Sequence, residues 1–441
     1  MSENQSAILT GKIQKTLLQF SIPIILSMLA SQMYALVDNI IIGRFLDGNA
    51  LAAVSNASSV MMIFLFISGG MELGCGLLVA AKLPELDQSG INRLLYNILF
   101  LDALIGILAT LVGFFAFPWL LSMIHSPKQI IASALTYGRI YLMCLTFQMV
   151  YDVSRELLIG MGNSKLPMVL MISTSCLNII LDLLLVPRLG VAGAALATAF
   201  SQIVGFFMIL AILRKRFLSE RFHFRFLSPE YARDIGRLAP PNAVQQASGV
   251  AAVLIKQSLL GGIGVAAIAG VSCVSKISNL LLIPIFGMTQ ALVIFTAQNL
   301  TAGQDNRVKQ AHKISTLMVL IYTAMVVAVC MIFHNWLPCI FTDEAEVIKY
   351  GALILTFEPL SYFLFSIRLQ NEAWLRGYQK MSLYLISNIG TIALNIFACV
   401  ICVNSLGFEG FFVAPYISNT LGVILSYGLV HKYIPLARNK N

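Results

Sequence analysis

Charge is what this chain has least of. Asp, Glu, Lys and Arg make up 11% of its 441 residues, against 58% hydrophobic, and the mean hydropathy is +0.83. Water-soluble domains carry about 25% charged residues, so a cytosolic enzyme, a secreted disulfide scaffold and a disordered hub are all excluded. Short alternating strands are missing too. The apolar runs are continuous and much longer than the roughly 10-residue strands of a membrane β-barrel. No G-x-x-x-x-G-K-[ST] phosphate loop occurs, so the chain carries no ATPase and no enzymatic activity is expected of it. The G-x-x-x-D-R-x-G-R-R pattern of the major facilitator transporters is absent from the loop KLPELDQSGINR. The eight cysteines lie scattered in apolar sequence, and the C-x-x-C of Cys399 and Cys402 has no histidine or second pair nearby. Packing thiols are expected rather than a metal or redox centre. The apolar segment after the polar first 16 residues lacks a small-residue cleavage pattern and reads as a retained helix.

What is present is a series of apolar segments near 17–43, 51–81, 94–121, 131–158, 166–186, 191–213, 238–260, 265–299, 314–337, 348–375, 382–404 and 408–431. Each can cross about 30 Å of hydrocarbon as a helix. The expected fold is therefore all-α and integral to the membrane, with about 12 transmembrane helices. Of the 29 basic residues, 21 fall in alternate connections: Lys12, Lys15; Lys82, Arg93; Arg155, Lys165; Arg214–Arg237; Arg307, Lys309, Lys313; Arg376, Lys380; and Lys432, Arg438, Lys440. The other connections hold Arg44, Lys128, Arg188 and Lys349. Basic loops stay on the cytoplasmic side, so a multi-pass protein of the cell membrane with both termini cytoplasmic is expected. The net charge of +9 thus marks topology, not nucleic-acid binding. The stretch 214–237 reads as a basic linker at the membrane surface.

Sliding the sequence by 217 residues without a gap sets Pro23 on Pro240, Val54-Ser55 on Val271-Ser272, Gly70-Met71 on Gly287-Met288 and Trp119 on Trp336. It also sets Gly160 on Gly377, Leu177-Asn178-Ile179 on Leu394-Asn395-Ile396, Leu189-Gly190 on Leu406-Gly407 and Gly193 on Gly410. Coincidence among apolar residues does not hold one offset over two halves. Two pseudo-symmetric six-helix lobes are expected, 1–213 and 238–441, joined by 214–237. An even helix number makes the repeat parallel, with its axis along the membrane normal, and suits alternating access by rocking lobes.

Ionisable groups in hydrocarbon cost at least ~2.5 kcal/mol each, so the few intramembrane acids are candidate functional groups. Asp38 lies late in the first span and Asp182 late in the fifth. Asn178, one turn before Asp182, shares its face, and Thr198 offers a hydroxyl in the sixth span. Together they are hard oxygen ligands for Na⁺, or carboxyls able to exchange H⁺. Under the offset Asp38 meets Ile255, Asp182 meets Cys399 and Thr198 meets Pro415, while Asn178 keeps Asn395. The scaffold is duplicated and the charge is not. Glu72 is a candidate relay. Asp102 and Asp152 lie nearer the cytoplasmic helix ends, where solvation or pairing with Arg155 accounts for them. Arg368 and Glu372 are spaced as an intrahelical ion pair, and Lys256, Lys276 and Arg368 are candidate cavity cations. Met33, Tyr34, Met61, Phe64, Tyr137 and Tyr141 are candidate walls of an adaptable cavity.

The segment FSIPIILSMLASQMYALVDNIIIGRFLDGNALAAVS, with LLIGMGNSKLP and its counterpart WLRGYQKMS, resembles the multidrug and toxic compound extrusion (MATE) family, within the multidrug/oligosaccharidyl-lipid/polysaccharide flippase superfamily. The likeness covers nearly the whole chain. It implies a 6+6 arrangement and antiport of cationic or amphipathic compounds against H⁺ or Na⁺, with no cofactor beyond that ion and a monomer in the bilayer. The family's first-lobe cation site matches Asp38, Asn178, Asp182 and Thr198. Acids that some branches carry in the seventh and tenth helices are missing from PPNAVQQASGV and FEPLSYFLFSIRLQ, where Glu358 sits nearer the helix start; coupling through the first lobe is expected. The rival reading is a flippase for lipid-linked oligosaccharide.

Overall fold

The structure, a computed structural model, describes residues 8–124 and 126–434. Arg438 and Lys440, part of the basic pattern above, lie outside the described residues. Backbone N–H and C=O groups have no water partner in hydrocarbon, so apolar sequence of this length satisfies them within helices. The first half forms α1 (Ile13–Phe45), α2 (Gly48–Lys82), α3 (Gln88–Met123), α4 (Lys128–Gly160), α5 (Lys165–Leu189) and α6 (Val191–Arg216). The second half forms α7 (Pro229–Leu260), α8 (Val265–Thr301), α9 (Asp305–Ile332), α10 (Ala345–Phe357), α11 (Ser361–Gly377), α12 (Met381–Leu406) and α13 (Glu409–Tyr433). The offset of 217 carries the start of α2 onto that of α8, and the outer bounds of α4 onto those of α10 and α11 together. Where one span was expected over 348–375, a 3-10 turn at Glu358–Leu360 separates α10 from α11, because Pro359 has no N–H to continue the ladder.

Among the described residues, eleven helical segments are long and apolar enough to cross a membrane, with Ala345–Gly377 counted as one. The twelfth expected span, 238–260, is helical within α7. Its composition is more polar, since α7 carries Glu230, Arg233, Asp234 and Arg237 in its first turns and Gln245 and Gln246 in its middle.

Two compact units emerge: Leu26–Val244, here the first unit, and the remaining described residues on either side of that stretch, the second. These bounds differ from the expected 213 and 238, because the polar connection is docked rather than loose. In the first unit, Asn92 donates to Ser219 Oγ at 2.8 Å and accepts from Ser219 N at 3.1 Å. Asn97 donates to Phe226 O at 2.7 Å, Tyr96 stacks on Phe226, and Lys82 pairs with Glu230 and Asp234 at 3.1 and 2.8 Å. The centre of this unit is α4, which packs on α2, α3 and α6. The second unit centres on a cluster including Leu260, Val274, Tyr362, Cys399 and Phe412.

Repeated residues do repeated work. Gly190 and Gly407 adopt φ of +60° and +63° at the α5–α6 and α12–α13 junctions, a backbone region that side chains disfavour. Three residues on, a Cβ on Gly193 would lie 2.4 Å from Leu185 O, and one on Gly410 2.1 Å from the carbonyl carbon of Cys402. Leu185 and Cys402 are themselves related by the offset. Each glycine thus lets one helix turn back against its predecessor. Trp119 and Trp336 are both 61% exposed, as aromatic residues at a membrane–water interface are.

Candidate functional site

In the first unit, α1, α5 and α6 bring the four oxygen-bearing candidates together. Asp38 is 9% exposed, Asp182 is fully buried, and Asn178 and Thr198 are 2% exposed. The Asp38 and Asp182 carboxyls stand within hydrogen-bonding reach of each other. Two ionised carboxylates so close would repel strongly. Asn178 bridges to the neighbouring helix. In one amide orientation it donates to Thr198 Oγ1 at 3.4 Å. In the other it donates to Asp182 Oδ2 at 2.8 Å and accepts from Thr198 N at 3.2 Å, which satisfies both partners. Tyr34 Oη lies 3.4 Å from Thr198 Oγ1. The Oδ1 atoms of Asp38 and Asp182 remain buried without a hydrogen-bond partner.

Asp38 opens onto a cavity of about 190 Å³, also lined by Tyr34, Asn39, Met61, Tyr137 and Tyr141. Four of the six expected wall residues are therefore in place, and two are not. Met33 is 52% exposed and does not line this cavity. Phe64 is buried but turns towards Gly113 of α3, where a Cβ would meet its ring at 3.0 Å. In a bilayer, lipid and protein interior are equally apolar, so hydropathy alone does not tell an outward Met from an inward one.

Deeper along α4 lies a second polar group. Arg155 Nη2 is 3.2 Å from Asp152 Oδ1 and 3.4 Å from Glu72 Oε1, so the expected Asp152–Arg155 pair also takes in Glu72. Asp102 departs from expectation. It is fully buried, neither solvated nor paired with Arg155, and both carboxyl oxygens lack a hydrogen-bond partner. The helix is longer than its apolar run: α3 starts at Gln88, so Asp102 sits about 21 Å along it at 1.5 Å per residue. Gln148, which composition does not single out, lies beside both Tyr141 and Asp152. The signal was available, because Tyr137, Tyr141, Gln148, Asp152 and Arg155 recur at helical spacing on one face of α4.

In the second unit, Arg368 Nη1 donates to Glu372 Oε1 at 2.7 Å, and Ser387 and Asn388 donate to the same carboxylate at 2.9 and 3.2 Å. Lys256 and Arg368 line one cavity. Lys276 does not join them there; its ammonium lies 5.4 Å from the centroid of the Phe341 ring. All eight cysteines are free thiols, and among the described residues no group of three or more His, Cys, Asp or Glu is placed to hold a metal ion.

Duplicated six-helix halves, each enclosing a polar cavity among long apolar helices, define a multi-pass membrane transporter. A model of the MatE family matches residues 23–184 and 241–401, once in each half, and the chain belongs to that family, the multidrug and toxic compound extrusion transporters. The FAD transporter of Shewanella oneidensis is 25% identical over 98% of this chain and 97% of its own length. The probable multidrug resistance protein YoeA of Bacillus subtilis is 23% identical over 83% of this chain and 82% of its own length. A solved outward-facing structure of a multidrug resistance MATE family transporter of the MOP superfamily superposes with a TM-score of 0.91 over 98% of both chains at 23% identity. That likeness is one of fold.

Proposed function

We propose that this chain is a secondary active antiporter that exports cationic or amphipathic organic compounds in exchange for H⁺ or Na⁺. The observation that carries the reading is the buried Asp38–Asp182 pair, with two unpartnered oxygens, at the edge of an aromatic-walled cavity. A cationic compound and a coupling ion compete for the same negative charge. Binding of H⁺ or Na⁺ from outside neutralises the pair and weakens its hold on the cation, which leaves outward; return of the lobes to the inward-open state releases the coupling ion. Asn178, held by Thr198, orients Asp182, and Tyr34 couples α1 to α6 through Thr198. Glu72, joined to Asp152 by Arg155, is assigned as a relay towards the cytoplasmic side. The protein acts in the cell membrane with both termini cytoplasmic, as a monomer and without a bound cofactor. Relatives named for multidrug resistance support the substrate class.

The driving force fixes a stoichiometric requirement. One proton exchanged for one univalent cation is electroneutral, so a pH unit supplies about 1.36 kcal/mol and a tenfold concentration ratio. Two protons per cation add a net charge movement worth about 2.3 kcal/mol per 100 mV. A two-carboxyl site can carry either exchange.

The rival flippase for lipid-linked oligosaccharide would need basic groups converging on a polyprenyl phosphate, and the separation of Lys276 from Lys256 and Arg368 counts against it. In liposomes with an imposed pH or Na⁺ gradient, the chain is expected to drive a fluorescent cationic dye, with movement lost in Asp38→Asn at equal protein level. Dye movement unchanged by Asp38→Asn would overturn the coupling assignment, and no movement under either gradient would favour the flippase.

A further inference from the structure

The second unit has a cavity of its own, about 270 Å³, lined from α7, α8, the Glu358–Leu360 turn, α11, α12 and α13. It is the repeat counterpart of the Asp38 cavity. Five residues lining the first, Ala35, Asn39, Met61, Leu65 and Tyr141, fall at the offset of 217 on five lining the second, Ala252, Lys256, Ser278, Leu282 and Glu358. Duplication thus copied a binding cavity and not only a scaffold. Its chemistry has changed. Ile255 and Cys399 stand where the acid pair stood, a base has appeared at the Asn39 position and an acid at the Tyr141 position.

These two new charges face one cavity without forming a contact ion pair. Among the described residues, no ion pair within 4 Å joins Lys256 to Glu358 or either of them to another charged group. The Lys256 ammonium rests 5.8 Å from the centroid of the Phe411 ring. Arg368 also lines the cavity. It is 6% exposed, and its Nε is buried without a partner although Nη1 is engaged by Glu372. Tyr362 and Phe365 supply aromatic wall. Unlike charges lining one partly enclosed cavity attract across it. Held apart on α7 and on the Glu358 turn, Lys256 and Glu358 gain close partners from a ligand that brings one charge of each sign. Counted with Glu372, the two bases and two acids cancel, which disfavours a simple cation or a simple anion. The volume lies below the roughly 300–1,000 Å³ of drug-sized pockets, so the ligand is small.

We propose that the second-unit cavity binds a small aromatic zwitterion, with its anionic end at Lys256 and Arg368, its ammonium at Glu358 and its ring against Tyr362 and Phe365. The site is separate from the Asp38–Asp182 pair and does not depend on the efflux reading. Three probes of one shape test it: L-phenylalanine, which carries both charges, phenethylamine, which carries only the ammonium, and 3-phenylpropionate, which carries only the carboxylate. Their dissociation constants are measured by calorimetry on the full chain in detergent. L-Phenylalanine is expected to bind at least about tenfold more tightly than either single-charge probe. Lys256→Gln should remove its advantage over phenethylamine, and Glu358→Gln its advantage over 3-phenylpropionate. Lys256→Arg should keep both preferences, and all three constants are taken in an Asp38→Asn background, where the acid pair no longer adds its own affinity for the phenethylammonium cation. Each variant is compared at an unchanged melting temperature, and Lys256→Arg keeps the test open should a glutamine variant fail to fold. Phenethylamine binding as tightly as L-phenylalanine, no binding of any probe at millimolar concentration, or preferences that survive both glutamine variants would each overturn the proposal.

Discussion

The two units are built on one helical plan and differ where it matters for chemistry. At the same glycines, Gly193 and Gly410, the chain folds back with the same close approach. Asn178 and Asn395 also occupy equivalent positions, yet Asn178 reaches Asp182 and Thr198 whereas Asn395 donates to Ser418 Oγ at 2.8 Å. One unit concentrates two acids against each other, and the other places one acid and one base on opposite elements of the same cavity. Buried charge is costly in a membrane, so a duplicated scaffold that charges its halves differently offers different chemistry in each.

Seven substitutions, in four tests, break or sharpen that contrast. The largest effect is expected at the acid pair: Asp182→Asn should reduce gradient-driven dye efflux to background, whereas Cys399→Asn at the equivalent position should leave a transport-competent protein, both read by liposome flux at matched protein level. Next comes Glu372→Gln. It leaves the buried Arg368 without its ion-pair partner and should cost about 3–5 kcal/mol, measured as a fall in melting temperature in detergent. Third, Gly193→Ala and Gly410→Ala should each destabilise by about 1–3 kcal/mol, as overpacking does; a clear inequality between the two would mean that the units do not share one scaffold. The smallest effect separates the two amides. Asn178→Ala should slow efflux by about tenfold, the equivalent of 1.4 kcal/mol, and Asn395→Ala by less than twofold, in the same flux assay.

Much of this was legible in the sequence. The offset fixed by Trp119, Gly190 and Asn178 carries most helix bounds of the first half onto the second to within a residue or two, except that α9 ends at Ile332 where the end of α3 maps to Ile340; glycines with left-handed or crowded geometry disfavour a side chain and so mark the same corner twice. Asp38, Asn178, Asp182 and Thr198 were recognisable because acids deep in apolar helices stand out and helical spacing sets their shared face. Which way a side chain points was harder to read. Met33 and Phe64 have the same apolar character as a cavity wall, yet one is half exposed away from the cavity and the other faces a neighbouring helix. Lys276 resembles Lys256 in sequence, and only packing shows that one lies against Phe341 and the other in a cavity. Asp102 was misplaced because depth was judged from the apolar run, while polar residues from Gln88 to Arg93 extend α3 beyond it.

The central claim is that a cationic compound displaces a coupling ion from Asp38 and Asp182. It is tested most directly by adding a cationic dye to the purified chain in weakly buffered detergent solution and recording protons released per dye bound, with a parallel titration against Na⁺. Wild type is expected to release protons on binding, or to lose dye affinity as Na⁺ rises, and the Asp38→Asn, Asp182→Asn double variant to do neither. Dye binding of equal strength in both proteins, with no proton release and no competition by Na⁺, would contradict the account.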